Sequence, residues 1–323
     1  MKRPRALLLF SEGLDSILAG KVLQSQGVEV VALRFITPFF GWQWKGREEE
    51  FVRWVSENFG FSGVVIDLTE DFLKMLAVPR HGYGRAFNPC IDCRILMLKK
   101  AKELLSAFQA DFLVTGEVVG QRPMTQQRNT LRHIEKEAEV IDLVLRPLSA
   151  KKLWETEPER QGLVDREKLL SLSGRGRKRQ LALAKEFGLK EIPSPAGGCL
   201  LTDPNLAPRF KKFLAWRGGF TPREAELLTF GRHFPLGNSW LILGRTELEN
   251  KRIKALAREE DTIIKLQDLP GPTGLLLGEP TKKELEAAAK LLTRYAPKAR
   301  GLKDTLVRIK GPLGTEIISL EIA

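Results

Sequence analysis

Short apolar runs alternate with helical patterns through the first half of the chain. Runs rich in Leu, Val, Ile and Phe predict strands at 6–10, 28–37, 63–68, 110–117 and 139–148. Apolar residues at helical spacing predict helices directly after the first strand, over 46–59, and from the region of Cys90 to Phe108. Strands that alternate with helices imply parallel βαβ units. We therefore predict an α/β fold with a doubly wound parallel sheet.

The second half of the chain has a different pattern. Residues 151–192 read as helical and strongly charged, and their arginine-rich segment SGRGRKRQ (173–180) is either a solvated surface or a patch that faces RNA. The Pro- and Gly-rich segment 192–209 predicts a linker or an active-site loop. Beyond it, short strands, Gly-Pro turns and one Ala-rich helix (281–295) predict a smaller α+β domain. The expected domains are 1–209 and 210–323.

Charge and hydropathy narrow the class of protein. The net charge of +12 over 323 residues favours a polyanionic partner, most simply nucleic acid, although a generally basic protein would show the same surplus. No apolar run approaches the roughly 18 residues that a membrane span needs. The N-terminus MKRPRALLLF is too short in its apolar part for a signal peptide, so we expect a cytoplasmic protein. The oligomeric state stays open, and a homodimer is one alternative.

The segment FSEGLDSILAG (10–20) is the first candidate for chemistry. Small and hydroxyl residues stand there between a strand and a helix N-terminus, where free N–H groups and the helix dipole can hold an anion such as phosphate. The alternative is an ordinary capped helix in which Asp15 or Ser16 only helps the first turn. Polar turns also follow Phe35 and Val114. All three turns should lie at the carboxyl edge of the sheet, where ligands bind.

Four motifs, in order along residues 5–205, resemble a known group of enzymes. The loop SEGLDS (11–16) resembles the S-G-G-x-D-S pyrophosphate loop of the N-type ATP pyrophosphatases. LRFITPF (33–39) and VTGEVVGQRPMTQQ (114–127) resemble segments of the 4-thiouridine synthetases. NPCIDC (88–93) resembles the N-P-C of the tRNA 2-thiouridylases, and a Gly-Gly-Cys at 197–199 falls where their second cysteine would sit. The chain thus resembles PP-loop ATP pyrophosphatases of the tRNA thiolation type.

This resemblance implies an activity and a set of site residues. A tRNA sulfurtransferase of this kind activates a tRNA uridine with ATP and replaces an oxygen with sulfur, which comes from sulfide or a persulfide carrier. Asp15 would act in catalysis by helping to place Mg²⁺, a hard ion that prefers oxygen ligands. Gln127 is an alternative to Gln126 in the ATP site. The implied ATP-binding residues are Leu9, Phe10, Ser11, Gly13, Asp15, Ser16, Arg34, Phe35, Arg94, Gly116 and Gln126.

The sequence departs from these families at two points. Glu12 replaces the first loop glycine, so its carboxylate must turn outward or meet Mg²⁺ or an arginine. Only ten residues precede the loop, where the synthetases carry a tRNA-binding region, so another part of the chain is expected to hold the RNA. The C-terminal domain resembles the NFACT-R module, which is proposed to bind RNA. Its candidate contacts, unless they are scaffold, are Lys211, Lys212, Trp216, Arg217, Arg223 and Arg232.

Three cysteines, Cys90, Cys93 and Cys199, allow three interpretations. They could be buried apolar residues. Cys199 could carry a persulfide that Cys90 attacks to release sulfide. All three could bind a [4Fe-4S] cluster and leave one iron open for a hydrosulfide. We favour the cluster because the persulfide pair gives Cys93 no role. Zinc is less favoured because no histidine is near these cysteines in sequence.

Other functions are compatible with the same motifs. The first domain could thiolate or amidate a small molecule. The chain could also be an RNA-binding protein with weakened catalysis, in which Glu12 marks the loss. ATP conversion to AMP and pyrophosphate only in the presence of tRNA would separate these alternatives from tRNA thiolation.

Overall fold

A computed structural model describes residues 3–189, 191, 198–300 and 302–321. The chain divides into two compact units, Met1–Pro204 and Asn205–Ala323. Among the described residues no helix is long and apolar enough to cross a membrane.

A parallel five-stranded sheet forms the centre of the first unit. Its strands are β1 (Arg5–Leu9), β2 (Glu29–Ile36), β3 (Ser62–Asp67), β4 (Phe112–Thr115) and β5 (Val144–Leu145). The order across the sheet is β3-β2-β1-β4-β5, and each neighbouring pair is parallel. Because the strands are parallel, the turns after β1, β2 and β4 share one edge. The predicted parallel sheet is confirmed.

Helices cover both faces of this sheet. They are α1 (Leu14–Gln24), α2 (Glu48–Phe59), α3 (Thr69–Ala77), α4 (Cys90–Leu104), α5 (Arg128–Glu137), α6 (Glu157–Arg160) and α7 (Lys178–Glu186). Alternate residues of β1 enter different cores: Leu8 packs with residues of α1, α2 and α7, whereas Leu7 packs with residues of α4 and α5. The sheet is therefore doubly wound, as the alternation of strands and helices predicts.

The predicted helical character of residues 151–192 is mostly wrong for the part that the structure describes. Only α7 exceeds one turn, and the rest consists of α6 and two single-turn 3-10 segments, Ala150–Lys152 and Arg166–Lys168. Arg166 shows the reason, because its guanidinium donates to the carbonyls of Ala150 and Leu153 at 2.9 and 3.0 Å. Charged side chains that satisfy loop carbonyls hold this segment in an irregular path.

The second unit is an antiparallel α+β domain. Its strands are β6 (Arg232–Pro235), β7 (Ser239–Leu243), β8 (Thr262–Leu266), β9 (Gly274–Gly278), β10 (Asp304–Gly311) and β11 (Gly314–Glu321), in the order β11-β10-β8-β9-β7-β6. Its helices are α8 (Ala207–Arg217), α9 (Pro222–Leu227), α10 (Glu247–Leu256) and α11 (Lys282–Arg294).

Only α11 was predicted in this unit. It packs its Ala288, Ala289 and Leu292 against the sheet core. Helices α9 and α10 are short, and they begin at polar caps rather than at an apolar periodicity. Thr221 and Thr246, for example, cap α9 and α10 by accepting from the amides of the third helical residues.

Candidate active site

A tight loop joins β1 to α1 at the carboxyl edge of the sheet. The Ser16 hydroxyl donates to the Gly13 carbonyl at 2.8 Å and accepts from the Ser11 amide at 3.3 Å. Gly13 precedes α1 in an extended conformation, and no side chain caps the helix. The positive end of the α1 dipole therefore faces this loop without a protein anion in the capping position, which suits a phosphate.

Gly116 packs against the start of α1. A Cβ atom on Gly116 would lie 2.5 Å from the Ser16 amide nitrogen and 2.7 Å from the Asp15 carbonyl oxygen. Such contacts are with backbone, so no small side-chain movement could relieve them. Glycine at this position lets the end of β4 meet the phosphate loop, and its role in the structure is close packing.

Asp15 has one oxygen that the described protein atoms leave unused. Gln121 donates to its Oδ2 at 2.9 Å, whereas Oδ1 is buried without a hydrogen-bond partner among the described residues. Burial raises the pKa of Asp15, and the neighbouring Gln121, Arg177 and Gln180 partly oppose this increase. A buried carboxylate oxygen without a partner destabilises the folded state unless a bound ligand contacts it.

Arg177 and Gln180 are site residues that the sequence analysis missed. Both act on Asp15, and the described residues offer no hydrogen-bond partner to Nε and Nη2 of Arg177 or to the buried Nε2 of Gln180. The loop that carries Arg177 is joined to the segment after β4, because Gly174 donates its amide to the Val119 carbonyl at 2.7 Å. A signal was present in SGRGRKRQ, which contains Arg177 and ends at Gln180, but the sequence does not show that these residues approach Asp15.

Glu12 points its carboxylate at Arg34. Its Oε1 lies 2.7 Å from Nε of Arg34 and accepts from Nε1 of Trp44 at 2.9 Å, and Gln43 donates to Oε2 at 3.1 Å. Burial lowers the pKa of Arg34, and Glu12 opposes this decrease. Of the alternatives expected for Glu12, the structure therefore has the arginine contact. The ion pair with Glu12 therefore fixes the position of the Arg34 guanidinium.

Three predicted nucleotide contacts have side chains inside the protein. Leu9 and Phe35 belong to the core on one face of the sheet and Phe10 to the core on the other. The Phe10 ring packs among aromatic rings, with centroids 5.9 Å from Phe59 and 6.2 Å from Phe61. At the candidate site, only the backbone of these three residues can face a nucleotide.

Arg94 and Gln126 also have protein partners. Arg94 Nε lies 3.5 Å from Oε1 of Glu117, whose Oε2 accepts from Nε of the buried Arg146 at 3.1 Å. Burial opposes ionisation of Glu117, but Arg94 and Arg146 lower its pKa. Gln126 is buried and accepts the Arg122 amide at 3.1 Å. Arg94 is thus oriented at the carboxyl edge, whereas Gln126 closes the loop that brings Gln121 to Asp15.

The structure brings the segments of the three cysteines to the same edge. Cys90 begins α4, and Asn88 donates to its Sγ at 3.0 Å. The residues after Cys199 are fixed by two backbone bonds, from Leu200 N to Phe39 O at 3.0 Å and from Phe87 N to Leu201 O at 3.2 Å. The bonds join Cys199 to the turn after β2 and to the loop before α4. The part of the Pro- and Gly-rich segment 192–209 that precedes residue 198 lies outside the described residues.

The pKa values of Cys93 and Cys199 depend on burial and on the neighbouring thiols. Burial raises the pKa of Cys93 strongly, and Cys199 and Cys90 raise it further. Burial likewise raises the pKa of Cys199 to about 12, with a further contribution from Cys90. Cys93 and Cys199 are therefore neutral at physiological pH, and a bound metal would be needed to stabilise three thiolates together.

The three cysteine thiols are the right type of ligand for an iron–sulfur cluster, but they are not arranged to coordinate one. Three cysteines at one site are the ligands that such clusters use. In the part of the chain that the structure describes, however, no three His, Cys, Asp or Glu side chains are arranged to hold a metal ion. Binding of a cluster would require the three cysteine side chains to move into coordinating positions.

The sheet, its phosphate loop and the site at its edge define a PP-loop nucleotide-binding domain. Residues 2–153 match the family model described as Thiamine biosynthesis protein (ThiI), and residues 231–321 match the one described as NFACT protein RNA binding domain. These matches support a ThiI-like PP-loop domain in residues 2–153, followed by a C-terminal domain similar to the RNA-binding domain of NFACT proteins. Both resemblances seen in the sequence are confirmed.

Two curated relatives cover the PP-loop part. A probable tRNA sulfurtransferase of Moorella thermoacetica is 32% identical over 148 residues, which are 45% of this chain and 36% of that protein. The tRNA-specific 2-thiouridylase MnmA of Amoebophilus asiaticus is 27% identical over 143 residues, which are 38% of this chain and 36% of that protein. The chain thus spans about a third of the length of these relatives.

Among solved structures, a 4-thiouridine synthetase in complex with RNA and bound ATP is similar to this chain at 21% identity and a TM-score of 0.43. The similarity covers 70% of this chain and 52% of that one.

Proposed function

We propose that this protein uses ATP to activate a uridine of tRNA and then replaces one uracil oxygen with sulfur. One observation carries the proposal. Asp15 Oδ1 is buried and, like Nε and Nη2 of the neighbouring Arg177, has no hydrogen-bond partner among the described residues; both side chains lie at a phosphate loop, on the sheet edge that also holds the three cysteines. An activated phosphate and a sulfur donor are the two reactants that thiolation needs.

The first step is adenylation. The uracil oxygen attacks the α-phosphorus of ATP, a new P–O bond forms, and pyrophosphate leaves. The amides at the start of α1 and the guanidinium of Arg177 would stabilise the charge on the phosphates, and Oδ1 of Asp15 would be a ligand for Mg²⁺. Arg94, held by Glu117, would add positive charge from the start of α4.

The second step is sulfur transfer. A sulfide sulfur attacks the activated ring carbon, the C–O bond breaks, and AMP leaves with the original oxygen. Cys90, Cys93 and Cys199 would hold the [4Fe-4S] cluster, which supplies a coordination position for inorganic sulfide. All three cysteines are partly buried, which would limit the access of water that competes with sulfide for the activated uridine.

A persulfide route remains the alternative for sulfur delivery. A persulfide on Cys199 would be attacked by the Cys90 thiolate, which would release sulfide and leave a disulfide between the two residues. Anaerobically purified protein distinguishes the routes. Bound iron and sulfide that are lost in Cys93→Ala support the cluster, whereas iron-free protein that thiolates tRNA, with Cys93→Ala active, supports the persulfide.

The adenylation step is tested by AMP formation from labelled ATP with and without tRNA. We expect AMP only with tRNA, and we expect Asp15→Ala to abolish it. Asp268→Ala, which removes an exposed acid of the C-terminal unit, is the matched control and should react like the wild type. AMP formation without tRNA would favour a small-molecule substrate. Normal turnover by Asp15→Ala would contradict the assignment of the phosphate loop.

A further inference from the structure

The basic residues expected to contact RNA are mostly engaged within the C-terminal unit. Four of the six candidates have intramolecular partners: Arg217 with Glu224, Arg223 with Asp261, Arg232 with the ring of Tyr295, and Trp216 with Trp240. The Arg223–Asp261 pair is itself largely buried. These side chains already have partners within the unit, so the surface for a polyanion is sought among cations without such partners.

Strands β8, β10 and β11 present an exposed face. Val307 and Ile309 of β10 point into the core that α11 covers, and the residues that alternate with them point the other way and are exposed. On this outer face, Arg308 stands between Lys265 of β8 and Ile317 of β11 in the strand register. Lys310 follows Arg308 on the same face, two residues further along β10.

Four cations crowd together on this face. Lys265, Arg308 and Lys310 come from neighbouring strands and Lys254 comes from α10. Burial lowers the pKa of Lys265, and the positive charges of Lys254, Arg308 and Lys310 lower it further. Among the residues that the structure describes, no carboxylate forms an ion pair with any of the four, and Arg308 donates instead to the amide oxygen of Gln267 at 2.7 Å.

Two of the three acids of the same hairpin lie at its other end, and the third, Glu316, is opposite Ile309 in the register and so belongs to the other face of the sheet. Asp304 and Glu321 face each other across β10 and β11, four residues from Arg308, which is about 13 Å along a strand. Crowded like charges without an acid beside them on the same face are unfavourable in the free protein, and a polyanion would relieve the repulsion. Exposed apolar area adjoins the cations, since Leu306 is 42% and Ile317 is 52% exposed.

We propose that this basic sheet face, formed by Lys254, Lys265, Arg308 and Lys310, is the surface that binds the sugar-phosphate backbone of tRNA. The spacing of cations on adjacent strands suits successive phosphates, and Leu306 and Ile317 can contact sugars or bases beside them. All four cations fall within or next to the segment that matches an RNA-binding domain. The inference rests on the proposed function, because it takes tRNA as the substrate.

The test is a tRNA-binding titration of the full chain at several salt concentrations. The variant is Arg308→Glu/Lys310→Glu, in which both changed residues are exposed. Each lost phosphate contact should lower the salt slope by about 0.9, so the slope should fall by about 2 and the affinity by roughly 30-fold near 0.15 M salt. Lys282→Glu/Lys283→Glu, on exposed positions of α11, makes the same change in net charge and should weaken binding less than about 3-fold.

Each outcome is decisive. Equal losses of tRNA affinity in both double variants would show that binding depends only on net charge, and this would overturn the inference. Unchanged binding by Arg308→Glu/Lys310→Glu would also overturn it, while leaving the proposed function intact. Absence of tRNA binding by the wild type would contradict the proposed function itself. If Arg308→Glu/Lys310→Glu no longer bound phosphatidylserine vesicles but still bound tRNA, the basic sheet face would be assigned to an anionic membrane instead.

Discussion

The ion pair between Glu12 and Arg34 should stabilise the fold, although Glu12 stands in a phosphate loop. The perturbation is Glu12→Gln, which keeps the shape of the side chain and removes its charge. Arg34 keeps only 9% of its side-chain area exposed and Glu12 keeps 22%. The guanidinium would therefore remain in a largely dry environment without its counter-charge, and the folded state should lose stability.

The magnitude follows from the geometry. The Nε–Oε1 distance of 2.7 Å places the charge centres roughly 4 Å apart. At an effective dielectric constant of about 20, the attraction is about 4 kcal/mol. The partial exposure of Glu12 reduces this, so we expect Glu12→Gln to lower the free energy of unfolding by about 2 kcal/mol. Glu12 also has a φ of 64°. Glu12→Gly should therefore be more stable than Glu12→Ala by about 1 kcal/mol.

Urea unfolding of the full chain, followed by tryptophan fluorescence, measures these differences. Glu50→Gln is the matched control, because Glu50 pairs with Arg47 at an exposed site and its loss should have no measurable effect. ATP should bind no more weakly to Glu12→Gln, since Arg34 holds the carboxylate away from the phosphates. A Glu12→Gln variant as stable as the wild type would refute the reasoning about the pair.

Three further predictions concern other parts of the molecule. Gly116→Ala should prevent ATP binding, measured by calorimetry, because its Cβ would lie 2.5 Å from the Ser16 amide nitrogen; normal binding would contradict the packing role of Gly116. Arg177→Met should raise the KM for ATP at least 10-fold with the fold intact, and an unchanged KM would exclude Arg177 from the phosphate site. Burial lowers the pKa of His233 to about 3, so the stability of the C-terminal unit should be complete above pH 6.5 and fall between pH 6.5 and 3, by up to about 4 kcal/mol. Unfolding measured across this range should show a flatter profile for His233→Asn, and equal profiles would contradict the assignment.

The parallel sheet and the phosphate loop could be predicted from sequence because their signals are local. Apolar runs of strand length, polar turns and helical spacing all lie within short windows. The positions of the polar turns after the predicted strands also placed the phosphate loop and Gly116 at one edge of the sheet. The identity of the loop then followed from six consecutive residues, 11–16.

The remaining features depend on contacts between distant residues. The partner of Glu12 lies in the next strand, and Arg177, the residue before α7, acts on Asp15 from far along the chain. The basic sheet face could not be predicted from sequence for the same reason. Arg308 and Lys310 show strand alternation in sequence, but their approach to Lys265 depends on the register between β8 and β10. Three of the cations that sequence alone suggested, Arg217, Arg223 and Arg232, contact other residues of their own unit.

The most direct test of the central claim is mass spectrometry of tRNA nucleosides after incubation of the purified protein with ATP, Mg²⁺, sulfide and tRNA under anaerobic conditions. The proposed function predicts a uridine whose mass rises by the exchange of one oxygen for one sulfur, formed in equal amount with AMP and absent when ATP is omitted. It also predicts no such nucleoside with Cys199→Ala. Formation of AMP with tRNA but no sulfur-containing nucleoside would contradict the claim that this protein is a tRNA sulfurtransferase.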